Sequence, residues 1–581
     1  MNRWRVCALC VLYGVCASCG SDEVVLEGDP IPEDALDTLD PGGLYVELEL
    51  RRTAGTVTVV SSRWLDAEVG LARAYEGDHM LVSRDGAGNV EDAVFFSFPT
   101  VAHREGRDAS GEPFDVETSV ADDSVVFVRV LASESTSELA VLDASGATAL
   151  TLASPAGRDG ALLLPRTGSE LDGAGGEPLI EHSLADYPHI AILEPGDMGS
   201  LPAGLGDPTD GDITRLHAWS ELPDRPRMAL LDELRRLPPA VVRSIARIGV
   251  GDLRELRGAD GRVSEIYASQ VGNVIVFNVA MADSPSFVGT MVHEGVHVYD
   301  ASLGSDVSET GVSWPADVLE TARTRLRNSR LRVSLRQSWA SLHDAAVGMR
   351  FAVAYDATTQ AAFRGRPTTE TGVVESYGGT NVREDIATYA TRLIMSPSLT
   401  ADVCSTFRAE NRITPQLATI YGKMLLLRSV GIVTRDQVHG CTGPIGFRAP
   451  PGITVITPES RLRYGLNRDV VARFDAGNTK LVFTANDATY RGLLEMPTRD
   501  GAAPLGFHRL SEGGPAGLYV DRRTGMGDDF YSTGGLLFLA EVQSTTDSAV
   551  AVGFVLGVTM HEDATLGRTE VLPYGVFRYQ R

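Results

Sequence analysis

The sequence predicts a multidomain α+β protein in which a helical domain stands between two all-β modules. Three observations predict it. At 581 residues the chain exceeds what one hydrophobic core organises, so several domains are expected. Short alternating apolar and polar runs, broken by Gly, Asp and Ser, fill 43–165 and return over 444–581. Between them, 223–443 switches to the helical period. The apolar fraction of 43% suits ordinary globular packing, and 60 glycines suit a turn-rich β content.

The chain opens on a targeting pattern over 1–18. Arg3 and Arg5 form a basic start, and Val6 to Val15 form an apolar stretch too short to span a bilayer. Cys16-Ala17-Ser18-Cys19-Gly20 then resembles the lipobox of bacterial lipoproteins, which implies lipidation of Cys19 and a membrane anchor. Cys16 stands where that pattern usually has Leu; ordinary secretory cleavage is the alternative. Residues 19–42 are acidic, with Pro30, Pro32 and Pro41, and read as a tether. The expected location is the bacterial cell envelope, lipid-anchored, or the medium.

Charge and cysteine use agree with export. A formal net charge of −25 without a basic patch argues against nucleic acid or anionic lipid headgroups as partners. Four of the six cysteines lie in the first 19 residues, leaving Cys404 and Cys441 in the body. An oxidising compartment joins them as a disulfide, and closing so long a loop is worth roughly 4 kcal/mol in the chain-entropy model.

The first β module, 43–165, is sandwich-like, with runs at Tyr45–Leu50, Thr56–Val60, Ala93–Phe96, Ser124–Leu131 and Glu138–Leu142. Nothing in it suggests catalysis. Residues 166–222 are rich in Gly, Pro and Asp and read as a linker, with one strand-like run at His189–Leu193. Helical periodicity begins at Met228–Leu237 and stops at Pro238-Pro239. Further helices are expected at 317–330, 332–354, 382–396 and 414–430. Val274–Val279 reads as a strand, either an edge or a core strand paired on both sides. Over 444–581 come Leu481–Thr484, Leu536–Val542 and Ala549–Leu556, strands of a second all-β module.

The chemistry lies at His293-Glu294-Gly295-Val296-His297. Helical residues four apart share a face, so both imidazoles can reach one Zn2+, with Glu294 beside them as candidate general base. A catalytic zinc site takes a third protein ligand. The metzincin pattern fails, because Asp300 stands where its Gly belongs and Leu303 where its third His belongs. Glu309, Glu320, Glu375, Glu384 and Asp385 remain. Glu384-Asp385 follows Asn381, an expected N-cap, so the acidic pair also suits a helix first turn.

Together with the distant Ser376-Tyr377-Gly378-Gly379-Thr380-Asn381-Val382-Arg383-Glu384-Asp385, the H-E-x-x-H run resembles gluzincin metallopeptidases of the anthrax lethal factor-like type. The resemblance covers roughly 223–443. It implies a zincin-like domain in which Glu384 is the third zinc ligand and Tyr377 stabilises the transition state. It also implies that Asp385, and less directly Asp300, orient a ligand histidine. An aspzincin reading is weaker, since Arg383 occupies the position of that family's Asp ligand. The resemblance gives Val274–Val279 a further meaning, as an edge strand receiving a substrate backbone. The long insertion 298–375 departs from the family and puts substrate access in question.

The expected function is a zinc metalloendopeptidase acting on protein or peptide substrates, with Glu294 taking a water proton and returning it to the leaving amine. Two alternatives stand beside it. One is an inactive zincin-like surface protein that binds a partner through its β modules. The other is a self-regulated protease with 166–222 lying in the cleft.

Overall fold

The computed structural model describes residues 39–153, 183–442 and the strands between 452 and 580, apart from shorter stretches inside those ranges. Cys19, the targeting segment and the tether up to residue 38 lie outside the described residues. The chain is a mixed α+β protein with several sheets and a helical region.

The first strand, Leu39–Thr53, begins inside the segment expected to be tether. It turns back at Ala54-Gly55, both at positive φ, into Thr56–Ala72. Two consecutive left-handed residues make a hairpin turn whose twist matches the strands. On its other side it pairs with Ser124–Leu131. A second sheet runs in the order Val90–Phe96, His79–Asp85, Thr136–Leu142, Thr148–Ala153. Leu48 and Leu50 of the first sheet meet Leu81, Val94 and Leu139 of the second in one apolar core.

Two strands of this stretch leave it. Val101–Arg107 and Pro113–Ser119 form a hairpin that joins the sheet of the following region. That sheet runs Ser183–Leu184, Tyr187–Ile192, Arg247–Leu253, Val274–Asn278, Val263–Val271, Val101–Arg107, Pro113–Ser119. The span read as a linker therefore contributes Tyr187–Ile192, and also Ile213–His217, which pairs with Arg247–Leu253. Val274–Asn278 is not an edge. It runs parallel to Arg247–Leu253 and antiparallel to Val263–Val271, and every residue in it is buried. Its unbroken apolar run is what burial on both faces requires; an edge strand would alternate.

Helices Asp224–Arg236, Pro239–Ser244, Thr290–Ser302, Leu335–Gly348, Val382–Met395, Ala401–Glu410, Pro415–Ser429 and Arg435–Thr442 contribute to one apolar core around Tyr299, Trp339 and Tyr389. Ala401–Glu410 and Arg435–Thr442 were not expected from the sequence; Cys404 and Cys441 join them as a disulfide. Within the insertion, Ala316–Leu326 packs Val318 and Ala322 against Met80 and Phe95 of the second sheet. The strands from 452 to 580 pair antiparallel throughout the named ladders.

Glu47 fastens the first sheet to the third. Its carboxylate accepts from Arg63 at 2.7 Å, Arg129 at 2.6 Å and Arg247 at 2.8 Å, with only 1% of its surface exposed. Arg129 also donates to the carbonyls of His189 and Arg243, and Arg247 lies over the Phe127 ring at 4.1 Å. Burial opposes ionisation of Glu47, but the three guanidinium groups outweigh it and hold the carboxyl well below the usual range. Such a depressed acid contributes stability above its unfolded value of 4.5 and loses it as pH falls through that value and below. Glu47→Ala leaves buried cations uncompensated, so chemical denaturation at pH 7 should show a loss of about 3–5 kcal/mol. The variant should also be less sensitive to acid than the parent.

Candidate metal centre

Thr290–Ser302 carries the two histidines. Its N-cap is Gly289 at φ 98°, a left-handed conformation that glycine takes without a Cβ penalty. A glycine has no side chain to satisfy the first helical N–H groups. Glu233, from Asp224–Arg236, does so: its two oxygens accept from Gly289 N–H at 2.7 Å and Met291 N–H at 3.1 Å. Burial pushes the Glu233 carboxyl up to about 7 despite these bonds. Gly295 faces the core, where an added Cβ would come within 3.0 Å of Leu237. The helix thus sits close against Leu237, Val241 and Ile245, and the histidines occupy another face.

The opposing helix, Val382–Met395, brings Glu384. Asn381 Oδ1 accepts from the Glu384 N–H at 3.0 Å, the cap expected from the sequence. The Glu384 carboxylate serves the histidines. Its Oε2 lies 3.0 Å from His293 Nε2, its Oε1 lies 3.3 Å from His297 Nε2, and the two Nε2 atoms are 2.9 Å apart. All three side chains are buried and form a group that could hold a metal ion. Zinc–nitrogen and zinc–oxygen bonds near 2.0 Å at tetrahedral angles set donors about 3.3 Å apart, so this triangle fits such an ion. Burial alone would favour a protonated Glu384, but the two imidazoles beside it hold the carboxyl well below the usual range. Burial pushes His297 down to about 4, leaving a neutral ring suited to ligation.

The other expected site residues divide. Glu294 is 1% exposed, next to His293 on the same helix. Tyr377 opens the short turn Tyr377–Gly379 and stacks on His293, with centroids 5.7 Å apart and planes at 27°. Asp385 does not orient a ligand histidine. It turns into the core and accepts from Trp339 Nε1 and Tyr355 Oη, each at 2.8 Å, and from the Lys423 ammonium. Lys423 also reaches His343 and the Gly372 carbonyl, so Asp385 braces the helix behind Glu384. Asp300 pairs with Arg336 at 2.7 Å, and His297 Nδ1 has no hydrogen-bond partner among the described residues. Of the rejected ligand candidates, Glu375 pairs with Arg392 and Glu320 is exposed on Ala316–Leu326. Glu309 lies outside the described residues.

Two residues reach the centre from the module in which no chemistry was expected. Both come from Val101–Arg107. The Glu105 Oε1 lies 3.7 Å from His293 Nε2. Burial, then repulsion from Glu294 and Glu384, push the Glu105 carboxyl well above the usual range against the pull of His293. The His103 ring stacks over His297 at 6.3 Å and 16°, and Arg383 Nη1 lies 3.0 Å from its Nδ1. The one local signal was a His and an acid two apart on a short strand, which the pleat puts on one face.

Compared with family models, with curated proteins and with solved structures, the chain matches none.

Glu384→Ala should abolish stoichiometric metal uptake, measured by elemental mass spectrometry after dialysis against zinc; retained binding would place the third ligand elsewhere. Glu233 has the opposite sign to Glu47. Its folded value is raised, so its contribution is complete below its ordinary value of 4.5 and is lost as pH rises through about 7. Thermal melts between pH 5 and 8 should show that decline, and Glu233→Gln should flatten it.

Proposed function

We propose that the chain is a zinc-dependent metalloendopeptidase of the gluzincin type, built on a zincin-like domain and acting on protein or peptide substrates. The observation that carries this reading is the convergence of His293, His297 and Glu384 within 3.3 Å of one another, with Glu294 adjacent on the histidine helix. Bound there, Zn2+ would polarise a carbonyl and lower the pKa of a water towards neutrality. His293 and His297 offer ring nitrogens, and Glu384 brings the compensating negative charge. Glu294 takes the proton from the attacking water and passes it to the departing amine nitrogen. Tyr377, held against His293, donates its hydroxyl to the oxygen on which charge develops. The signal segment and Cys19 extend the proposal to an exported protein held at a bacterial membrane by lipid.

A second reading is a catalytically inactive surface protein that keeps the ion and binds a partner through its β modules. What supports it is that the three-residue group could hold an ion by itself, and an ion kept for structure needs no base.

Glu294→Gln should retain one metal per chain and lose about 10²–10⁴-fold in the rate of casein hydrolysis. Tyr377→Phe should lose about 10²-fold in kcat with KM little changed. Full activity in Glu294→Gln would sink the assignment of the base.

A further inference from the structure

Behind the metal ligands, helices Val382–Met395 and Pro415–Ser429 meet at a charged pair sealed in the core. Asp385 and Lys423 are both 0% exposed, and Lys423 Nζ contacts Asp385 Oδ2. Trp339 and Tyr389 wall the pair, each ring centroid 5.2 Å from Nζ. The two carboxylate oxygens are treated unequally. Oδ2 accepts from Trp339 Nε1 and Tyr355 Oη, each at 2.8 Å. Oδ1 is buried with no hydrogen-bond partner among the described residues. Nζ has two further acceptors, the Gly372 carbonyl at 2.8 Å and His343 Nδ1 at 3.0 Å. Burial, and then Lys423 itself, hold His343 down at about 2, so its ring is neutral. Its Nε2 lies 2.9 Å from the Val353 carbonyl and carries the ring proton, which leaves Nδ1 to accept.

A buried oxygen without a donor is costly, and a buried ion pair must overcome the desolvation of both charges. An amide between the two side chains removes both costs. We propose that Lys423 and Asp385 condense to an intramolecular isopeptide bond, which joins the helix of Glu384 covalently to Pro415–Ser429. One ammonium proton passes to the carboxylate. Nζ then bonds to Asp385 Cγ and the Cγ–Oδ1 bond breaks. Oδ1 leaves as water, carrying that proton and a second one from Nζ. His343 Nδ1 is placed to take the second proton and return it. Trp339 and Tyr355 stabilise the charge that gathers on Oδ2 during attack. Ammonium and carboxylate give amide and water, so no further reactant is needed. Burial pulls the Lys423 ammonium below its ordinary range against the pull of Asp385, which favours the amine required for attack. Groups held in reacting geometry act at effective concentrations of roughly 10⁵–10⁸ M, which offsets the preference of bulk water for hydrolysis. The product leaves each polar group satisfied. Oδ2 becomes the amide oxygen and keeps both donors, and the remaining N–H donates to His343 Nδ1. The Gly372 carbonyl keeps the Tyr389 hydroxyl at 2.8 Å. The bond is independent of metal and of hydrolysis at the centre.

The test is peptide mapping of the purified full chain, reduced, denatured and digested with trypsin. An acylated lysine is not cut by trypsin. The bond therefore yields one branched species, residues 384–392 joined to residues 413–428, lighter than the sum of the two peptides by one water. It should account for most of the Lys423 recovered, and fragmentation should place the join at Asp385 and Lys423. Separate peptides 384–392 and 413–423, the second ending at a free lysine, overturn the proposal. A water loss confined to 384–392 also overturns it, because Asp385 has then closed on its own backbone. Lys423→Arg keeps a buried cation that cannot be acylated, and its digest should contain only unbranched peptides. A branched species that persists in Lys423→Arg puts the join elsewhere and overturns the assignment. Where Lys423→Arg does not fold, the map of the parent decides alone.

Discussion

The centre depends on one buried carboxylate that crosses between two helices. Glu384 leaves the first turn of Val382–Met395 and meets both histidines of Thr290–Ser302. A buried carboxylate is costly unless it is paired, and here its partners are two imidazoles that also need an acceptor. The constraint propagates outward. Asn381 caps the helix that presents Glu384, and Glu233 caps the helix that presents the histidines. Asp385, one residue on, points the other way and is held by Lys423, Trp339 and Tyr355. Adjacent acids therefore do separate jobs, one facing the histidines and one anchoring its helix from behind.

The N-terminal β region is joined to the centre at more than one place. Glu47 gathers Arg63, Arg129 and Arg247, which ties the first sheet to a strand of the sheet behind the histidine helix. Val101–Arg107 and Pro113–Ser119 leave that region to extend the same sheet. The insertion after the histidine helix returns the contact, laying Ala316–Leu326 on the second sheet. The strand that carries Glu105 therefore comes from the N-terminal region and stands beside the His293–His297–Glu384 group.

Some elements were legible because they rest on local periodicity. The helices at 224–236 and 382–395 and the strands around Tyr45, Ser124 and Leu139 follow from the spacing of their apolar residues. Val274–Asn278 left a choice that its composition could have settled, since four consecutive apolar residues suit a strand buried on both faces. The helices that carry Cys404 and Cys441 were missed; their apolar positions are few, and packing against the core decides them. The 166–222 span looked like a linker because its strands are short and separated by Gly- and Pro-rich turns.

By itself the sequence determined the H-E-x-x-H helix, the cap at Asn381 and the mixed order of β and helical regions. Each of these is a local fact of spacing or backbone chemistry. Only the tertiary structure decided which acid joins the histidines, which way Asp385 faces, and that Glu105 arrives from 188 residues before His293. The physical reason is that a metal site is a meeting of side chains in space. Helical and strand periods say which face a residue occupies, and the pairing of strands far apart in the chain says what that face meets.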